Sequence, residues 1–133
     1  MLKKKPLVTF AETPATVEEK NIIKTFERFA SAIIEGDNKK LADILTSDAL
    51  MRYRPGPALN RSLYLEEMKL RHDIRRNLEY HNLLIRKTGA TEWLVHGESH
   101  LYLKKSYLPA IRSRYFKLVQ INGNFFIKET GFI

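Results

Sequence analysis

Two residues near the C-terminus, Asn122 and Gly123, constrain this chain most, because they separate two strand-like runs within residues 112–133. A two-residue type I′ turn needs positive φ at both central positions, and asparagine and glycine tolerate it. The flanking runs mix aromatic and β-branched residues with polar ones, as strands with unequal faces do. An antiparallel hairpin this apolar does not stand alone in water. It needs further strands, and a helix over one face.

The preceding sequence offers both. Thr16 and Glu19 have capping-box spacing. Ile22, Phe26, Phe29 and Ile33 then recur at helical intervals, with Ile23, Ala30 and Ile34 widening the stripe. A helix over about 17–35 is predicted, closed by Gly36 in the left-handed position. Asp37 caps a second helix on which Leu41, Ile44 and Leu45 share a face. Residues 49–54 read as a short strand stopped by Pro55-Gly56-Pro57. Ser62 is the expected cap of a third helix, with Leu65, Met68 and His72 on one side. Residues 78–87 and 91–104 read as strands, with a turn at Gly89 and a bulge or bend at Gly97. Residues 105–110, with Pro109, read as a loop. Helices segregated from antiparallel strands make an α+β domain over 16–133. Residues 1–15, with Lys3, Lys4 and Lys5, read as a basic N-terminal arm of partial order, an edge strand or lid being the alternative.

A chain of 133 residues suits a single domain that needs no staples. It has no cysteine, which excludes disulfides, a thiol nucleophile and cysteine metal sites. No apolar run reaches the length of a membrane span and no signal-peptide core follows the lysines, so a cytoplasmic protein without membrane insertion is expected. The formal charge of +8 favours anionic partners. Basic residues cluster at Arg71, Arg75 and Arg76, at Lys104 and Lys105, and at Arg112 and Arg114, with Tyr107 and Tyr115 nearby. A groove for single-stranded nucleic acid is one reading of these clusters, scattered basic surface the other.

The densest polar constellation is His96-x-Glu98-x-His100 with Tyr102, on one face of a strand by period two. Along a strand, i and i+2 stand about 7 Å apart and i and i+4 about 13 Å. His96 and His100 therefore do not share one ion, and Glu98 with either histidine needs ligands from elsewhere, such as His81. No metal or cofactor is expected. His81, His96 and His100, with Glu98 or Glu129, remain candidates for a general acid–base pair. Arg52 and Arg54 flank Tyr53, where an arginine fork can hold a carboxylate.

The segments FERFASAIIEGDNKKLADIL and TSDALMRY and the closing INGNFFIKETGF resemble the NTF2-like superfamily, which includes nuclear transport factor 2, ketosteroid isomerases, scytalone dehydratase and SnoaL-type polyketide cyclases. The resemblance covers about 16–133. It implies a cone-shaped (cystatin-like) fold, with a strongly curved sheet wrapped around the long first helix, a pocket in the cone, and often a homodimer through the sheet. Against the ketosteroid isomerases, the oxyanion tyrosine matches Phe29 and the proton-moving carboxylate matches Tyr53. The protonated acid of the oxyanion hole matches Tyr115, which still offers a hydroxyl. Steroid isomerase chemistry is not expected. The resemblance also puts Lys128, Thr130 and Phe132 on the pocket wall. The reading is a pocket for a small, partly apolar, acidic molecule, with SnoaL-type isomerase, dehydratase or cyclase chemistry as its catalytic form. Its expected wall is Phe29, Arg52, Tyr53, Arg54, Met68, Tyr115, Lys128 and Phe132. A non-catalytic dimerisation or interaction module is the alternative.

Overall fold

The C-terminal hairpin forms as its turn residues dictate: Asn122 and Gly123 take φ of 51° and 81°. The computed structural model describes residues 7–53 and 56–133. In chain order these form β1 (Val8–Phe10), α1 (Val17–Glu35), α2 (Asn38–Ile44), β2 (Leu45–Arg52), β3 (Leu59–Asn60) and α3 (Arg61–Leu70). A 3₁₀ turn (His72–Ile74) leads into β4 (Arg75–Lys87), β5 (Glu92–Leu103), β6 (Ala110–Ile121) and β7 (Asn124–Phe132). The described strands make one sheet in the order β1-β4-β5-β6-β7-β2-β3. The β4-β5-β6-β7 run is antiparallel, while β1 joins β4 and β2 joins β7 in parallel. No described helix is long and apolar enough to cross a membrane.

Helix α1 has the predicted bounds. The Glu19 amide donates to Thr16 Oγ1, and the Thr16 hydroxyl donates to the Glu19 carboxylate. The box thus closes between side chains. Ile22, Phe26 and Phe29 are fully buried against the inner face of the sheet. There Phe26 meets Phe116 edge-on with ring centroids 4.7 Å apart. Gly36 ends the helix at φ 69°, and a Cβ there would stand 2.6 Å from the His72 ring. The turn and the histidine therefore pack as one unit.

Tertiary pairing moved several predicted boundaries. Asn60 caps α3, its Oδ1 accepting from the Leu63 amide, so Ser62 is already inside the helix. Helix α3 ends before His72 and buries Tyr64. Leu45 opens β2, because its backbone pairs with Ile127 of β7. β1 exists through β4: the Tyr80 amide donates to Leu7 O and the Ala11 amide to Leu83 O. The arm therefore contains an edge strand; Lys3, Lys4 and Lys5 lie outside the described residues. The bulge expected at Gly97 sits opposite it, in β4, where Asn82 takes φ 56° and the register shifts between His81 and Leu84. This turns Leu83 inward over Gly97, where a Cβ would meet its side chain and stand 3.0 Å from His81 O.

Candidate functional site

Strand β6 decides what faces the interior. Phe116 and Leu118 are buried in the core, and two-residue alternation carries Arg114 and Arg112 onto the same inner face. That face opens into a cavity of about 400 Å³ between α3 and the sheet. Ile33, Leu59, Met68, Leu78, Leu101 and Phe132 give it apolar walls.

The polar groups of the wall are unusual. Arg114 is 5% exposed. Its Nη2 donates to Tyr53 Oη at 2.8 Å and Thr130 Oγ1 at 2.9 Å, and its Nε to Gly131 O at 3.2 Å. All three acceptors are neutral, and among the described residues Arg114 has no ion pair. The guanidinium also lies over the rings of Tyr53 and Phe116, 4.7 and 4.8 Å from their centroids. These contacts offset part of the desolvation that a buried charge suffers. Burial works against the Arg114 charge, but the surrounding oxygens of Tyr53, Tyr80 and Tyr64 outweigh it and raise its pKa.

Two further donors lack partners among the described residues. Arg75 is 8% exposed, and its Nη1 is buried without a hydrogen bond. Burial lowers the Arg75 pKa, and the like charge of Arg71 adds to this against the opposing pull of Tyr64, Tyr53 and Glu67. The fully buried Tyr80 hydroxyl likewise makes no close hydrogen bond; burial raises its pKa, and the nearby Arg114 charge opposes this. Tyr64, also in the wall, is pushed well above the usual tyrosine range, first by burial and then by Tyr53. Arg71 and Arg112 complete a lining of four arginines against one described carboxylate, Glu67, which lies 3.3 Å from Arg71. Buried donors without close partners are rare in folded proteins, and here two of them belong to residues of one cavity wall.

No family model and no curated protein matches the chain. Solved structures do. An NTF2-like protein from Cytophaga hutchinsonii superposes with a TM-score of 0.75 at 14% identity, covering 87% of this chain and 97% of its own. A protein with a cystatin-like fold from Nostoc punctiforme gives 0.72 at 15% identity, over 90% and 93% of the two chains. A proposed scytalone dehydratase from Novosphingobium aromaticivorans gives 0.68 at 17%, over 86% and 82%. The fold is NTF2-like. At these identities the likeness concerns architecture, and an NTF2-like scaffold hosts many functions.

Of the predicted wall of the NTF2-like cone, Tyr53, Met68 and Phe132 line the cavity. Thr130 also points inward, where it holds Arg114. Phe29 is fully buried in the core between Tyr80 and Phe116, so it stands outside the lining. Arg52 turns to the outer face, 3.5 Å from Glu129. Arg54 lies outside the described residues. Lys128 is expelled by a bulge, because Lys117 pairs with Glu129 but Leu118 already pairs with Ile127; it points outward, 3.4 Å from Glu92. Tyr115 is the main correction. The match to the oxyanion-hole acid of the ketosteroid isomerases put it in the pocket, but the parity set by Phe116 and Leu118 sends it to the outer face. His81, His96, Glu98 and His100 are on that outer face too, and none of them lines the cavity. Arg114, Arg75 and Tyr80 were missed, although the run Arg112-x-Arg114-x-Phe116-x-Leu118 carries the signal for the first.

On the outer face the Tyr115 hydroxyl donates to Glu129 Oε2 at 2.7 Å, and Lys117 approaches the same oxygen at 3.7 Å. Burial and the Glu129 carboxylate hold Tyr115 protonated to about 12. For Glu129, burial opposes ionisation, but Tyr115, Lys117 and Arg52 outweigh it and lower the pKa. A lowered folded pKa means the stabilisation is present above the ordinary carboxylate value of 4.5 and is lost as pH falls through the folded value. Glu129→Gln is therefore expected to lower the melting temperature at pH 6 to 7 and to converge on the parent in acid. Equal offsets at every pH would contradict this.

Proposed function

We propose that this NTF2-like protein binds a small organic acid, holding its carboxylate on Arg114 and Arg75 and its aromatic or alicyclic body against Met68, Leu101 and Phe132. The observation carrying this reading is the buried Arg114 guanidinium, bonded only to neutral oxygens in the wall of an otherwise largely apolar cavity. A carboxylate supplies the missing countercharge and accepts charge-assisted bonds from planar donors. Arg75 Nη1 and the Tyr80 hydroxyl gain an acceptor at the same time. Pockets of this volume suit a single small ring system.

Binding is favoured over acid–base turnover. SnoaL-type isomerase, dehydratase or cyclase chemistry needs a group that moves protons near neutrality. The described lining has no histidine, and its one carboxylate, Glu67, is held by Arg71. A second copy of the chain is not needed for this site, since every group in the proposal belongs to one protomer.

A thermal-shift screen tests the proposal. Benzoate- and cyclohexanecarboxylate-type acids are expected to raise the melting temperature and their primary amides to leave it unchanged. Amides acting as well as acids, or stabilisation by oligonucleotides alone, would replace the pocket reading. Tyr80→Phe should change the stability of the ligand-free protein little, because its hydroxyl makes no close hydrogen bond and only a weak polar contact with Arg114. The same change should weaken acid binding by about 0.5–1.5 kcal/mol.

A further inference from the structure

The outer face of the sheet carries a second cluster that the cavity does not use. Pairing of β4 with β5 sets Glu79 opposite His100 and His81 opposite Glu98, all pointing away from the core. The donor atoms of Glu79, His81 and His100 lie within 4.8 Å of one another. The two imidazoles stack with centroids 3.9 Å apart and planes 28° from parallel. Glu79 Oε1 stands 2.9 Å from His81 Nε2. These side chains are 16–24% exposed, sheltered enough to fix their positions and open enough to admit an ion.

We propose that Glu79, His81 and His100 bind a divalent first-row transition ion, with solvent in the remaining position. The sequence expectation of no metal rested on spacing along one strand, where the separations are too wide. The adjacent strand removes that obstacle, because neighbouring strands lie about 4.8 Å apart. Two imidazole nitrogens and one carboxylate oxygen are a donor set suited to zinc and its neighbours, whereas magnesium and calcium prefer oxygen. Donors bound to zinc at about 2.0–2.1 Å stand roughly 3.3 Å apart, so side-chain rotations of about an ångström close the site.

The supporting groups are in place. The Tyr102 hydroxyl donates to Glu79 Oε1 at 3.3 Å, and Asn77 Nδ2 to Glu79 Oε2 at 3.4 Å, which together fix the carboxylate. Glu98 stands 3.3 Å from His100 Nε2 and helps to hold that ring in place. The ion would tie β4 to β5 at the surface. Folding does not depend on it, but it stabilises the folded state by mass action.

Calorimetric titration of the untagged protein with zinc chloride tests this, with magnesium and calcium chloride as controls. One zinc per chain is expected, together with a higher melting temperature and no saturable response to magnesium or calcium. His81→Ala, His100→Ala and Glu79→Gln should each weaken zinc binding at least tenfold, and His96→Ala should leave it unchanged. Circular dichroism establishes that each variant is folded; His81→Gln and His100→Gln replace any alanine variant that is not. Absent zinc binding, affinity unaffected by the His81 and His100 variants, or one ion per two chains would overturn the site.

Discussion

Replacing Phe26 by alanine is expected to destabilise the protein by about 3–5 kcal/mol, the range for deleting a buried aromatic ring. Phe26 is fully buried and sits between two other rings, 4.7 Å from Phe116 and 5.3 Å from Tyr80, both edge-on. Its removal forfeits the transfer free energy of the ring and leaves a void that these neighbours fill only partly. Small domains are stable by about 5–15 kcal/mol, so the loss takes a large share of the total. The guanidinium midpoint should fall in proportion. A midpoint near that of the parent would remove α1 from the centre of the fold.

What was legible in the sequence came from local chemistry. The Asn122-Gly123 turn, the Thr16 cap, the Gly36 stop and the helical stripe of α1 each depend on residues within a few positions of one another. The period-two reading of β5 was also local, and it placed His96, Glu98, His100 and Tyr102 on one face as found. The missing parts depend on residues distant in sequence. β1 was legible only as an alternative and β3 not at all, because both are short and exist through their partners β4 and β2. The glycine at 97 was visible, but the strand that bulges against it was its neighbour.

The cavity lining followed the same division. Tyr53, Met68 and Phe132 lie in it, because a strand end, a helix face and the final strand were placed correctly. Tyr115 was placed inward by a match to a distant family's acid, and Lys128 by an alternation that a bulge interrupts. The cluster around His81 needed the β4–β5 register, which no spacing within β5 contains. Arg114 is the instructive miss. An arginine in phase with two core residues reads as a surface exception, yet that phase carries it into the cavity wall.

Arg114→Met is expected to cost about 2–5 kcal/mol of affinity for the acid, the usual loss when one partner of a buried charge pair is removed, or roughly a 30- to 4,000-fold weaker Kd. Methionine preserves much of the arginine stem and removes the charge. The fold should tolerate it, because two effects oppose each other. The protein no longer buries a guanidinium without a countercharge, which favours the variant. Tyr53, Thr130 and Gly131 each lose a donor, which disfavours it, though the two hydroxyls can rotate toward other partners. Arg114→Lys separates charge from geometry. It keeps the cation but a point ammonium cannot reproduce the planar fork, so its affinity should lie between those of parent and methionine variants. Arg112, exposed in the lining, gives the contrast. Arg112→Ala should weaken binding mainly at low ionic strength, since salt screens an exposed charge far more than a buried one. Parent-like titration of a folded Arg114→Met variant with the acid would show that the carboxylate is held elsewhere.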